Sequence, residues 1–185
     1  TAASRPVAAR VAAATKLVKG LPNGPFENPA LPLAVGGARI DVGDFERAES
    51  NLRRALEIRL QEHGEVDPVT ASTQAALGDL EHDLGKLPRA RAHLEAAWEA
   101  QRAGLGDEHP RTVATLSRLG ALLLDLGLAD EALAAQTEAL TVSRRVYPEG
   151  DVSTAEILLQ LAAVQRSRGD DDAARAHLLG AREIF

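Results

Sequence analysis

Small and apolar residues recur along this chain with a fixed period. Four glycines, Gly43, Gly85, Gly127 and Gly169, follow one another at intervals of 42 residues. Leu or Val stands eight residues before each glycine, a small residue seven before it, and alanines five and twelve after it. Self-similarity at a fixed interval of this size indicates an array of repeated supersecondary units.

Two antiparallel helices per unit account for this spacing. Small residues let two helix axes approach, and leucines one turn away fill the gaps between them. The recurring glycine suits the turn, because it accepts positive φ at the end of the first helix. Asp67-Pro68 and His109-Pro110 predict loops followed by a helix with Pro in its first turn. We therefore predict helix pairs at 28–42 and 44–62, 69–84 and 86–103, 111–126 and 128–146, and 153–168 and 170–185.

The segment before the array has a different pattern. The amphipathic stretch Pro6–Lys19 predicts an N-terminal capping helix, and Leu21–Pro25 marks a break rich in Pro and Gly. We divide the chain into residues 1–27, with this helix and linker, and 28–185, with the array. Its predicted units are about 28–68, 69–110, 111–152 and 153–185.

The first unit is the least regular. Pro29, Pro32 and Gly36-Gly37 lower the helix propensity of its first helix. This unit is therefore either a true repeat or a degenerate cap. A single irregular helical bundle is the alternative to a repeat array.

Composition supports an all-α fold and narrows the classes of partner. The chain has 185 residues, 45% of them hydrophobic and only 3% aromatic, so aliphatic helices must supply the core. A net charge of −6 disfavours nucleic acid as a partner. No apolar run approaches the ~18 residues that span a bilayer, and no signal pattern opens the chain. We expect no membrane partner and a cytoplasmic location.

The chain contains neither Cys nor Met. The absence of cysteine excludes disulfides, thiolate nucleophiles and cysteine-ligated zinc. The chain contains no Met and begins at Thr1, as expected for a fragment or a processed protein. Its amino-acid composition, rich in Ala and Arg, is typical of proteins from GC-rich bacteria.

The Leu-Gly pairs and the paired alanines resemble the tetratricopeptide repeat family over residues 28–185. The 42-residue period and the linkers 64–70 and 106–112 are similar to those of the longer subclass found in kinesin light chains and bacterial multidomain regulators. The resemblance implies an α-solenoid, a right-handed superhelix of about four repeats, here with an added N-terminal helix.

The chain also departs from the family pattern. The aromatic residue usual in the first helix is replaced by Arg39, Glu81, Leu123 and Gln165, which predicts looser packing there. Trp98 aligns with Leu56, Leu140 and Arg182, a position between helices, so we expect it in the core and not in a ligand site.

In such an array the first helices line a concave surface, which is where the family binds its partners. The resemblance places these groove candidates there: Asp79, His82, Asp83, Ser117, Arg118, Leu124, Asp125, Glu156, Leu159 and Arg166. Acidic and apolar residues prevail, so we expect a protein or peptide partner that is basic or mixed apolar. A clamp for an acidic tail needs Lys, Arg and Asn, which are mostly absent. The alternative is that these acids only solvate a helix face.

The sequence contains little that indicates a catalytic or metal-binding site. Asp79, His82 and Asp83 share one helix face and form half of a metal or acid–base site, but no second half is evident. The chain has no Gly-rich phosphate loop, nucleophile elbow or paired-carboxylate motif. We therefore predict no catalytic, metal or cofactor site.

The leading hypothesis is a non-enzymatic interaction scaffold. One alternative is a spacer or a regulatory or self-association arm of a larger bacterial signalling enzyme. Another is a sensor of small ligands or metals through the Asp79 cluster. The last helix carries Leu178, Leu179, Ile184 and Phe185, which predicts homodimerisation through that edge.

Overall fold

The computed structural model describes residues 42–185, which form seven α-helices and no strand. Each helix lies within two residues of its predicted bounds. They are α1 Val42–His63, α2 Pro68–Asp83, α3 Leu87–Leu105, α4 Pro110–Asp125, α5 Ala129–Val146, α6 Val152–Ser167 and α7 Asp171–Ile184. The predicted capping helix, the linker and the first helix of the first unit lie outside the described residues, so the division at residues 27 and 28 stays a prediction.

The recurring glycine forms the turn within each complete hairpin. Gly85, Gly127 and Gly169 have φ values of 71°, 77° and 78°. At the first of these turns Gly85 N–H donates to His82 O at 2.9 Å, and Lys86 N–H donates to Glu81 O at 2.8 Å. The other two turns repeat both bonds, so the last carbonyls of each first helix are satisfied.

At Gly43 the turn prediction is wrong. This glycine lies in the first turn of α1, which begins at Val42. Glycine destabilises a helix mainly in its interior, so it is tolerated in the first turn.

Each first helix begins with a side-chain cap at the same repeat position. Asp67 Oδ1 accepts from Val69 N–H at 2.7 Å, His109 Nδ1 from Arg111 N–H at 3.1 Å, and Asp151 Oδ1 from Ser153 N–H at 2.8 Å. These bonds satisfy N–H groups that the helix itself leaves unpaired. The caps fix where α2, α4 and α6 start.

The two helices of a hairpin approach closely at one small residue. A Cβ on Gly78 of α2 would lie 2.8 Å from Leu94 Cγ, and one on Gly120 of α4 would lie 2.7 Å from Gln136 Nε2. Leu94 and Gln136 are fully buried. The small residue seven positions before each turn glycine therefore sets the distance between the helices.

The hairpins α2–α3, α4–α5 and α6–α7 stack in a row that curves. The first helix α4 closely approaches the first helices α2 and α6, whereas the backbones of α3, α5 and α7 stay apart from one another. The array therefore bends towards its first helices, which line the inner surface.

An apolar, a charged and a polar amide side chain stand at the three described positions where the family carries an aromatic residue. Leu123 is 5% exposed in the core, Glu81 is fully buried, and Gln165 is half-buried within 2.8 Å of His177 Nδ1. Leu123 and Glu81 are therefore enclosed by the fold, and looser packing at these positions stays a prediction. Trp98 packs half-buried against the core, with the Arg102 guanidinium 5.3 Å from its ring centre.

Candidate partner-binding groove

The inner surface is built from α2, α4 and α6, and these helices carry all ten predicted groove residues. Leu159 is 40% exposed, and Asp79 is the most buried of the set at 9%. Asp83, Arg118, Asp125, Glu156 and Arg166 are exposed, whereas His82, Ser117 and Leu124 are half-buried.

Asp79 and Arg118 join two neighbouring hairpins. Arg118 Nη1 of α4 lies 3.3 Å from Asp79 Oδ2 of α2. The Arg118 side chain is 46% exposed and that of Asp79 13% exposed. The pair therefore neutralises part of the acidic charge that the sequence predicts for the groove.

His82 and Asp125 form a second link between the same two helices. His82 Nε2 lies 2.6 Å from Asp125 Oδ2. His82 thus contacts the next hairpin, although the sequence had grouped it with Asp79 and Asp83 as half of a metal site. Over residues 45–185, no group of three or more His, Asp or Glu side chains is placed to hold a metal ion.

Ser117 is held inside its own hairpin. Its hydroxyl donates to Gln136 Oε1 at 3.1 Å, and its carbonyl oxygen accepts from Gln136 Nε2 at 2.7 Å. Gln136 is fully buried, so these bonds satisfy a polar group in the core. Ser117 contributes to the groove mainly by fixing α4 against α5.

Tyr147 follows α5 and interacts electrostatically with the groove residues Arg118 and Glu156, although the sequence analysis did not select it. Its hydroxyl donates to Pro110 O at 3.0 Å. Burial raises the pKa of Tyr147, as does the charge of Asp151, against the opposing effects of Ser153 and Arg118. The sequence feature that could have indicated this residue is that Tyr147 is the single Tyr of the chain and directly follows a predicted helix.

A second charged cluster joins α1 to the hairpin α2–α3. Arg53 Nη2 of α1 lies 3.0 Å from Glu81 Oε1, and His93 Nε2 of α3 lies 3.7 Å from Glu81 Oε2. Lys86 Nζ lies 2.6 Å from Glu49 Oε2. The cluster ties together three helices away from the groove.

Two groups in this cluster have shifted pKa values. Burial lowers the pKa of His93, together with the charges of Arg53 and Arg89, and the carboxylate of Glu81 opposes the shift. Burial alone would raise the pKa of Glu49. The hydrogen bond from Lys86 and the charges of Arg53, Lys86 and Arg89 outweigh that effect, so its pKa is lowered.

An open cavity of about 630 Å³ lies along the exposed side of α5. No sequence pattern pointed to it. It is lined by Asp107, Asp130, Leu133, Ala134, Thr137, Glu138, Thr141, Val142 and Arg145. The cavity lies on the second helix of its hairpin, whereas the groove lies on the first helices, so control substitutions can be placed at the cavity.

A row of helix hairpins curved towards its first helices defines an α-solenoid. The sequence profile of the tetratricopeptide repeat family matches residues 30–103, 77–145 and 111–185, and the chain belongs to this family. Among curated proteins, no sequence matches the chain.

Solved structures with the same fold include the following two. BtubC (BKLC) from P. vanneervenii has a TM-score of 0.72 and 22% identity over 77% of this chain and 57% of its own. A putative kinesin light chain from Podosopora anserina, with nearly identical TPR-like repeats, has a TM-score of 0.71 and 16% identity over 95% of this chain and 73% of its own. This chain therefore spans little more than half the length of the BtubC chain.

Tetratricopeptide repeats generally mediate protein–protein interaction, and the family consists typically of non-enzymatic scaffolds. Over the described range, no helix is both long and apolar enough to cross a membrane.

Proposed function

We propose that this chain is a non-catalytic scaffold that binds a basic or mixed apolar peptide, or a partner domain presenting one, along α2, α4 and α6. The observation that carries the proposal is the exposed pair Glu156 and Leu159 on α6. Leu159 is 40% exposed, and the Glu156 carboxylate lies one turn earlier on the same helix. An apolar side chain beside a carboxylate suits a partner with both apolar and cationic groups.

The charges of the groove support the same partner. Among the predicted groove residues, the acids are Asp79, Asp83, Asp125 and Glu156, and the strong bases are Arg118 and Arg166. Asp79 and Asp125 already contact Arg118 and His82 of neighbouring hairpins. Glu156 forms no salt bridge within residues 45–185, so a cationic partner meets it without displacing a basic side chain.

Selection from a phage-displayed random peptide library on the 185-residue chain tests this proposal. We expect the selected peptides to be rich in basic and apolar residues. Glu156→Lys combined with Leu159→Asp should weaken their binding about tenfold or more, because the variant removes both a charge contact and an apolar contact.

The matched control is Glu138→Lys combined with Thr137→Asp on the exposed side of α5, which changes the net charge by the same amount. We expect this variant to bind the selected peptides as the parent does. Equal binding by all three chains, or peptides without basic residues, would refute the proposed groove. A selection that yields no peptide would favour the spacer or regulatory-arm alternative.

The cytoplasmic location also remains a proposal. It is consistent with the acidic, cysteine-free sequence.

A further inference from the structure

Arg118 of α4 carries a positive charge within the groove and directs it at a carboxylate of the neighbouring hairpin. Its Nη1 lies 3.3 Å from Asp79 Oδ2 on α2. The Asp79 side chain is 13% exposed, whereas that of Arg118 is 46% exposed. Further helices pack on both sides of this pair, α1 against α2 and α6 against α4. The contact therefore lies within the array and not at one of its ends.

The stacking of hairpins does not require this ion pair. At an interval of 42 residues, the positions equivalent to Asp79 and Arg118 are Ala121 on α4 and Gln160 on α6. Neither residue is charged, and yet α4 and α6 contact each other as α2 and α4 do. The repeat architecture alone therefore does not explain why an acid and a base face each other between α2 and α4.

The guanidinium of Arg118 is able to move away from Asp79. An ion pair with an exposed partner contributes little to stability, because water solvates the separated charge well. Arg118 also has a second acid in its surroundings, since its charge and that of Glu156 both act on the pKa of Tyr147. A guanidinium that leaves Asp79 thus reaches solvent and remains near another carboxylate of the groove.

We infer that Arg118 is an internal competitor of the basic partner. In the unbound chain it neutralises the carboxylate of Asp79, and a cationic side chain of the partner replaces it there on binding. The inference rests on the proposed function and adds to the groove a second position for a cation, at Asp79, besides the one at Glu156. Arg118 thereby lowers the affinity for basic partners and reduces the acidity of the empty groove.

The probe for a test is the tightest-binding basic peptide from the phage selection, labelled with fluorescein and measured by fluorescence anisotropy. Arg118→Gln, which copies the residue at the equivalent position 160, should bind it about threefold to fivefold more tightly than the parent, because no guanidinium has to be displaced. The matched control is Arg144→Gln on the exposed side of α5, which changes the net charge equally. It should bind the peptide as the parent does.

A double-mutant cycle separates a contact at Asp79 from a general effect of charge. Asp79→Asn should weaken binding of the same peptide, and Arg118→Gln should then give no gain in the Asp79→Asn background. Circular dichroism identifies any variant that fails to fold, and the two single arginine variants test the inference without Asp79→Asn. No gain in Arg118→Gln, an equal gain in Arg144→Gln, or the full gain in the Asp79→Asn background would each overturn the inference.

The same measurements separate this inference from the proposed function. If Glu156→Lys with Leu159→Asp loses the peptide and Arg118→Gln gains nothing, the groove is retained and the role of Arg118 as a competitor is refuted. A selection that yields no basic peptide refutes both.

Discussion

The carboxylate of Glu81 on α2 accepts a hydrogen bond from Arg53 of α1 at 3.0 Å, although Glu81 is 0% exposed. Its second oxygen is buried and accepts no hydrogen bond within the described residues. The Arg53 side chain is 44% exposed and reaches the carboxylate from the solvent side. Arg53 therefore provides the close positive charge that offsets the burial of Glu81.

Replacing Arg53 with methionine should destabilise the fold by about 1–3 kcal/mol, because the buried carboxylate loses its donor. Urea unfolding followed by circular dichroism measures this change. The control is Arg54→Met, which removes a pair between exposed side chains and should change stability by less than about 0.5 kcal/mol. Equal effects of the two changes would show that the Glu81 contact does not stabilise the fold.

Replacing Glu81 with leucine should restore the stability that Arg53→Met removes. The repeat-equivalent residue of Glu81 is Leu123, which is 5% exposed in the core. A buried ion pair replaced by a packed apolar residue is often neutral or stabilising. The double variant Arg53→Met with Glu81→Leu should therefore be more stable than Arg53→Met alone in the same urea measurement. A double variant no more stable than that single one would contradict this account.

Stability should fall as the pH falls below about 6.5, the ordinary pKa of histidine. Burial lowers the pKa of His93 in the fold, so between its folded and unfolded pKa values the unfolded chain binds more protons. The stability that depends on neutral His93 is therefore fully present above about pH 6.5. It is lost as the pH falls from there to the pKa of His93 in the folded chain. Below about 4.5 a further loss follows from Glu49, whose pKa is also lowered in the fold.

Urea midpoints at about pH 8 and about pH 5.5 measure the His93 contribution. His93→Gln should reduce the difference between these midpoints, because glutamine does not titrate. The control is His63→Gln at the end of α1, where the side chain is 48% exposed. It should keep the pH dependence of the parent. An unchanged dependence in His93→Gln would exclude His93 as the cause.

Two helical glycines should respond in opposite directions to the same substitution. Gly78→Ala should destabilise the fold, because its Cβ would lie 2.8 Å from Leu94 Cγ and the hairpin would have to open. Gly180→Ala should stabilise it by up to about 1 kcal/mol, because the nearest atom to its Cβ, Leu158 Cδ1, is 3.6 Å away and alanine favours the helix. Thermal unfolding of both variants decides the signs. Stabilisation by Gly78→Ala would show that the close approach is not required.

The sequence predicted the helices well because each boundary depends on local chemistry. Gly85, Gly127 and Gly169 end the first helices by accepting positive φ, and Asp67 and Asp151 begin two of them with capping oxygens. These requirements involve residues a few positions apart, so a single sequence reveals them.

The contacts across hairpins could not be predicted in this way. The sequence grouped His82 with Asp79 and Asp83 by helical spacing, whereas its observed partner Asp125 lies 43 residues away. That pairing depends on how far α4 is shifted along α2, which the packing of whole hairpins sets. Glu81 was easier to recognise as unusual, because it places a charge where the family carries an aromatic residue. The sequence alone does not show which basic side chains lie close to this buried carboxylate.

The row of hairpins also determines how stability is distributed along the molecule. The central hairpin α4–α5 has neighbours on both sides, whereas α2–α3 and α6–α7 do not contact each other. The structure therefore behaves as a short one-dimensional chain of coupled units, in which each unit is stabilised only by its immediate neighbours. The hairpin α6–α7 can therefore open while the contacts between α2 and α4 on the inner surface stay intact, because neither of its helices contacts α2.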